Sequence, residues 1–434
     1  MLESGLFAKI TVVNWQNSAD QFLFAHDLYV LITLVVSAWL LSDMNYIHRW
    51  KQQKVRLELD GKWDDLETHF QRRLKTRRLF ARLFQRFAVP GNLEASYALY
   101  LHNRGRSEAA LETAERAIVL AQHQPSFLKS TFGRPARKTL QSAMHTRVLV
   151  LNGLGRYEEA RATSAEMRAL PGGKTHATAC LTELHAGHLD EALILACETL
   201  SHDPKDGTAR LVASSVFCYR REFAEAINIL IYEPKDFTEH YSRKDLALAL
   251  RNRESATFIA LKRKHSATIH QPIWLLSAAR VYIDQGDLDE AIQALDMTEP
   301  LLGANPVIRC AYHRYRALCA ATKGDIQQTE QHLAEARSIT QSLPKRDTQW
   351  ETSVAAGRCY LTLRLTDKAT LELQEAQRHA LHPIEKHVTN YWLARTADAA
   401  KRRSEARRHY QDVVADNIPT RMRDESFAAL DRLK

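Results

Sequence analysis

Glycine and proline are scarce, at 15 and 12 in 434 residues. So few turn formers rule against a β-rich fold, whose short strands need a break roughly every 8–12 residues. The six cysteines, Cys180, Cys197, Cys218, Cys310, Cys319 and Cys359, include no Cys-x-x-Cys pair. That spacing excludes a zinc ribbon and argues against a disulfide framework. Free thiols used as small hydrophobes in a reducing compartment are the simpler reading. No His-Glu-x-x-His and no Gly-x-Ser-x-Gly occurs. The stretch Gly172–Thr175 reads GGKT, but a phosphate-binding loop needs an earlier glycine where Arg168 stands, and a strand before it. His185 and His188 lie close in sequence with no third metal ligand nearby. No catalytic residue, no cofactor site and no metal site emerges, and the chain is not expected to be an enzyme.

What is abundant points elsewhere. Alanine, leucine, glutamate and arginine fill long stretches, and these residues lose little rotamer freedom in a helix. The fold class expected is all-α.

Leu28–Leu41 reads LYVLITLVVSAWLL without a charge, and extending back to Phe22 adds only His26 and Asp27. Twenty helical residues span about 30 Å, the hydrocarbon thickness of a bilayer. A buried core helix and a cleaved signal peptide compete with a membrane span. The start lacks a basic leader region and no Ala-x-Ala site follows, so residues 22–44 are read as a retained transmembrane helix after an extramembrane segment, 1–21. His48, Arg49, Lys51, Lys54 and Arg56 follow the apolar run, whereas Lys9 is the one base before it. Positive flanks stay on the cytoplasmic side, so the expectation is a single-pass protein of the cell inner membrane with its C-terminal part cytoplasmic.

Residues 45–89 form a basic juxtamembrane region. Within FQRRLKTRRLFARLFQRF (residues 70–87) stand Arg72, Arg73, Lys75, Arg77, Arg78, Arg82 and Arg86, with no acidic residue. Phe70, Leu74, Phe80, Leu83, Phe84 and Phe87 mostly share one helical face. Such a helix can lie on anionic lipid, each base contributing about 1 kcal/mol near the surface. It can equally be a repeat helix with a basic outer face. Nucleic acid is the weakest candidate ligand.

Farther on, the chain repeats itself. GRYEEA (155–160), GHLDEA (187–192), REFAEA (221–226), GDLDEA (286–291) and GDIQQT (324–329) share a small or polar opener, an aromatic or aliphatic residue two later, and usually alanine three after that. Ala160, Ala192 and Ala226 are 32 and 34 residues apart, and Ala256 divides the gap to Ala291. Fainter copies stand at Gly105–Ala110, Leu365–Ala369 and Arg402–Ala406. Prolines 125, 204, 234, 300 and 383 suit positions just beyond second helices. Acidic residues recur at one place in the repeat (Asp190, Glu191, Asp289, Glu290), where helix starts favour them. The 50 residues from Ala110 to Ala160 exceed the period, and His123–Lys138, with Pro125, Gly133 and Pro135, reads as a longer connecting loop.

These copies resemble the tetratricopeptide repeat (TPR) family. The resemblance assigns Gly155, Tyr157 and Ala160, and Gly187, Leu189 and Ala192, to the turn, the gap-filling side chain and the close helix contact. Arg221 departs from the pattern. The resemblance implies a right-handed α-solenoid of eight or nine helix hairpins over residues 90–434, ending in a capping helix, DESFAALDRLK. It also implies a concave surface, lined by first helices, that binds other proteins. Candidate lining residues are Tyr97, Arg147, Arg210, Arg280, Tyr282 and Arg314, which suit an acidic peptide or a C-terminal carboxylate. One N-terminal span followed by repeats is similar to bacterial envelope-assembly proteins, including those that regulate lipopolysaccharide synthesis. Their rubredoxin-like cysteine cluster is absent here, so only the architecture is shared. The expected role is a membrane-anchored scaffold, or alternatively a fixed subunit of a secretion, motility or polysaccharide-export machine.

Overall fold

A computed structural model describes residues 63–84, 91–122, 126–170, 177–203, 206–231, 272–303, 305–343 and 346–434, besides Gln53 and Leu57. The proposed span, residues 22–44, lies outside the described residues, as do Arg86 and Ala256. Among the described residues no strand occurs, and no helix is long and apolar enough to cross a membrane. The chain divides into two compact units, Met1–His69 and Phe70–Lys434. In the first, the described helix begins at Trp63 with Asp64 and Asp65 in its first turn, where carboxylates oppose the helix dipole.

Helix α1 is Trp63–Phe84. In the second unit the helices then pair as α2 (Asn92–Asn103) with α3 (Ser107–Gln122), α4 (Ser126–Gly153) with α5 (Tyr157–Ala169), and α6 (Ala177–Ala186) with α7 (Leu189–His202). Helix α8 (Gly207–Arg220) pairs with α9 (Phe223–Ile231), α10 (Pro272–Gln285) with α11 (Leu288–Thr298), and α12 (Pro306–Thr322) with α13 (Ile326–Ser342). Helix α14 (Arg346–Thr362) pairs with α15 (Thr366–His379), α16 (Pro383–Ala399) with α17 (Arg403–Ala415), and α18 (Arg421–Arg432) closes the chain. Each first helix also touches the first helix of the next pair. That is the stacked-hairpin arrangement the repeat implies: no pair buries its apolar face alone, so neighbours supply the core.

One turn geometry recurs eight times among the described residues. The residues between paired helices, Gly105, Gly155, Gly187, Arg221, Gly286, Gly324, Arg364 and Lys401, all have φ between 57° and 96°. Each donates its N–H three residues back, and the next residue donates five back, as with Gly155 to Asn152 and Arg156 to Leu151, both at 2.9 Å. These Schellman bonds satisfy carbonyls that the helix end leaves open. Five residues after each left-handed residue comes Ala110, Ala160, Ala192, Ala226, Ala291, Thr329, Ala369 or Ala406, each fully buried. A side chain no larger than threonine there lets the second helix approach its neighbours closely.

One expectation is corrected. The stretch His123–Lys138 is not mainly a loop: helix α4 runs from Ser126 through Gly133 and Pro135 to Gly153. Leucine, lysine, arginine and alanine around those two breakers carry the helix through them. Pro383 stands four residues beyond second helix α15, and it also opens α16, as Pro306 opens α12, because its fixed φ suits a first turn whose N–H has no partner in the helix. Helices α9 and α10 also pack directly on each other.

The chain end does more than cap. Helix α16 touches α6, and α18 touches α8, more than 150 residues back along the sequence. Ile418, between α17 and α18, lies against Gly187, where an added Cβ would meet its side chain at 2.9 Å.

Candidate partner-binding site

First helices α8, α10, α12, α14 and α16 turn side chains toward one another. Arg358 on α14 reaches Asp284 on α10 at 2.7 Å, passing over α12, which packs between them. Helices two places apart can meet through side chains only if the shared face is concave. Arg314 on α12 pairs with Glu351 on α14 at 2.6 Å. The Arg358 guanidinium lies over the Trp392 ring of α16, 4.9 Å from its centroid, a cation–π distance. Trp350 of α14 donates from Nε1 to the Thr389 hydroxyl of α16 at 2.9 Å.

Arg280 is the residue left over. Its nearest carboxylate, Asp284, stands 4.0 Å away and is already held by Arg358. Its side chain stays 33% open to water. Burial works against its charge, but Cys218, Tyr219, Tyr315 and Asp284 gather around it, and the net direction of its pKa is upward. Burial pushes the Tyr219 phenol up to about 12 and raises Tyr315 as well, so both stay protonated and can donate hydrogen bonds. Three guanidinium groups (Arg280, Arg314, Arg358) therefore face two carboxylates (Asp284, Glu351). Adding Arg395 and Glu385 leaves that balance unchanged, and Glu385 already accepts from the backbone N–H groups of Leu381 and His382 at 2.8 and 3.1 Å.

Of the six expected lining residues, Arg280 and Arg314 fall on this face. Arg314 is buried, with Nη1 lacking a hydrogen bond. Arg147 lies nearer the start of the array and pairs with Glu115 at 3.7 Å. Tyr97 stacks on Tyr100 at 5.9 Å and tilts against Phe70. Arg210 is 2% exposed, and burial brings its pKa down to about 10. Tyr282 is buried, and burial, followed by Glu290 and Asp287, raises its phenol. Arg210 and Tyr282 are thus closed to a partner in this conformation.

Of the bases expected at a membrane surface, Arg72 and Lys75 are exposed on α1 and Arg73 is half-buried, while Arg77 and Arg78 follow on the same helix and Arg82 lies one turn on.

Sequence reasoning missed Tyr219, Asp284, Tyr315, Glu351, Arg358 and Trp392. A signal was present. Counting back from the left-handed turn residues, Arg280, Arg358 and Arg395 all stand six residues before Gly286, Arg364 and Lys401. Tyr315 and Trp392 both stand nine before Gly324 and Lys401.

A second cluster joins α5 and α6 to the start of α16. His185 of α6 stacks on His382, the residue before α16, with ring centroids 3.9 Å apart and planes 11° from parallel. Tyr157 of α5 shares a 2.7 Å hydrogen bond with His382 Nδ1. Arg161 grips Glu183 through two 2.7 Å bonds, and His188 Nδ1 meets the same carboxylate at 2.8 Å. A cavity of about 340 Å³ beside them is walled by Tyr157, Arg161, Ala186 and His188.

No protein-family model matches the sequence, and no curated protein matches it. Among solved structures it is similar to the human IFIT1 dimer with PPP-AAAA, at 15% identity over 86% of this chain and 85% of that one, with a TM-score of 0.39. It is also similar to the APC/C hetero-tetramer Cut9–Hcn1, at 12% identity over 88% and 87%, with a TM-score of 0.32. A third is yeast Tom70, at 12% identity over 90% and 96%, with a TM-score of 0.28. At these TM-scores the similarities carry no functional weight; the helix pairs and their side chains do.

Proposed function

We propose that this chain is a non-enzymatic TPR-type scaffold whose concave first-helix face receives an acidic segment of a partner protein. One observation carries the reading: Arg280 shares its nearest carboxylate with Arg358, which leaves a water-accessible positive charge beside Tyr219 and Tyr315, with Trp392 under Arg358. A peptide carboxylate would give that guanidinium the planar partner it lacks, with charge-assisted hydrogen bonds about twice as strong as neutral ones. Aromatic rings alongside suit an extended peptide. The tether proposed for this scaffold is residues 22–44, with the solenoid on the cytoplasmic side of a bacterial inner membrane and the bases of α1 against anionic lipid.

Two measurements test it. Acidic peptides and their glutamine-substituted counterparts are titrated against the full-length chain. The acidic forms should bind in a salt-sensitive way, and Arg280→Ala should weaken them about tenfold; equal binding of both peptide types refutes the acidic-segment reading. Separately, the full-length chain and a form lacking residues 1–50 are fractionated from cells. If both remain in the soluble fraction and recover the same partners, the anchor is wrong.

A further inference from the structure

The contacts of α16–α18 with α5–α8 differ from those elsewhere in the array: they join helices distant in sequence, through a few side chains. Ile418 sits on Gly187, Arg221 pairs with Glu425 at 2.9 Å, and Tyr157 bonds His382. At their centre two imidazoles lie face to face at van der Waals distance, leaving no room for a counter-ion between them.

We propose that α16–α18 form a latch on α5–α8, held shut by the His185–His382 stack and released by acid.

The surrounding groups decide the sign. From α5, Tyr157 is neutral, Arg161 is cationic, and Glu158 is taken up by Arg161 at 2.5 Å. From α6, Glu183 is committed to Arg161 and to His188, the residue before α7. From α16, Glu385 accepts from the backbone N–H groups of Leu381 and His382. Within the latch, His387 already has Asp416 at 3.3 Å and Thr420 at 2.7 Å. His185 has no such carboxylate, and its Nδ1 makes no hydrogen bond. Burial, then the neighbouring His382, lowers its pKa well below 6.5. A histidine depressed in the closed form excludes a proton that the open form takes up. The closed state is therefore fully favoured above pH 6.5 and weakens below it, by at most about thirtyfold at pH 5.

Hydrogen exchange of the full-length chain, corrected for intrinsic rates and followed by mass spectrometry, reads the latch directly. Peptides from α6 and α16 should lose protection between pH 7.5 and 5, by up to about thirtyfold, while those from α12 and α13 keep theirs. In His185→Phe, which stacks but cannot be protonated, protection should persist at pH 5. The proposal is overturned if the wild-type latch peptides are equally protected at both pH values. It is overturned also if the whole array loosens together, or if His185→Phe responds to acid as the wild type does. Should that variant fail to fold, Ile418→Ala removes a latch contact without touching the histidines. It should open the same peptides at pH 7.5, and unchanged protection there refutes the latch.

Discussion

Lys401 is exposed and holds φ at 59°, where five of the eight equivalent turn residues are glycine. A left-handed conformation costs a residue with a Cβ about 1–2 kcal/mol. Replacing it by glycine removes that cost but adds roughly 0.5–1 kcal/mol of unfolded-chain entropy. Lys401→Gly should therefore stabilise its hairpin by about 0.5–1 kcal/mol. The reciprocal change is Gly286→Ala, where an added Cβ would meet nothing within 4 Å. Any loss there reports backbone conformation alone, and about 1 kcal/mol is expected. Arg221→Gly should come out near neutral, because it also deletes the half-exposed ion pair with Glu425, worth up to about 1 kcal/mol. The assay is native-state hydrogen exchange of each hairpin, since a long array need not unfold in one step. If Lys401→Gly destabilises as much as Gly286→Ala, the left-handed turn does not govern hairpin stability and the reasoning fails.

Three further outcomes are expected. Ala192→Leu places a branched side chain at a fully buried helix contact and should cost about 1–3 kcal/mol by overpacking, read as a lower midpoint in urea; Ile194→Leu, on the exposed side of the same helix, is the control. Burial raises the thiols of Cys180, Cys218 and Cys359 to about 12, so a thiol reagent at pH 8 should modify them only in denaturant. Burial would raise the Glu183 carboxyl, but Arg161 and His188 overrule it and the net shift is downward. Its stabilisation is present above pH 4.5 and is lost as pH falls through the lowered value. Glu183→Gln should accordingly flatten the pH dependence of thermal stability below pH 4.5.

The hairpin frame was legible because one chemical need recurs at fixed spacing: a left-handed residue, then a small residue five later. Even Arg221, which departs from the glycine pattern, keeps that geometry, since the Schellman bonds and the buried Ala226 demand it. Helix α4 was misread because Gly133 and Pro135 break helices locally, while the residues around them favour one. The concave face was half legible. Arg280 and Arg314 could be placed on first helices, but whether a first-helix arginine points inward or into a neighbouring pair depends on its phase from the turn. Arg210, eleven residues before Arg221, is buried, whereas Arg280, six before Gly286, faces the groove. The His185–His382 stack left no local trace, because the two residues lie almost two hundred positions apart and meet only in the folded array.

The Arg358–Asp284 pair spans the width of α12 like a strut across an arch. Flattening the array at that point would pull the guanidinium from its carboxylate, so curvature and charge are coupled there. Ionic strength thus becomes a mechanical variable: in concentrated salt the C-terminal half should bend more freely. A ligand carboxylate that drew Arg358 away from Asp284 would loosen the same joint.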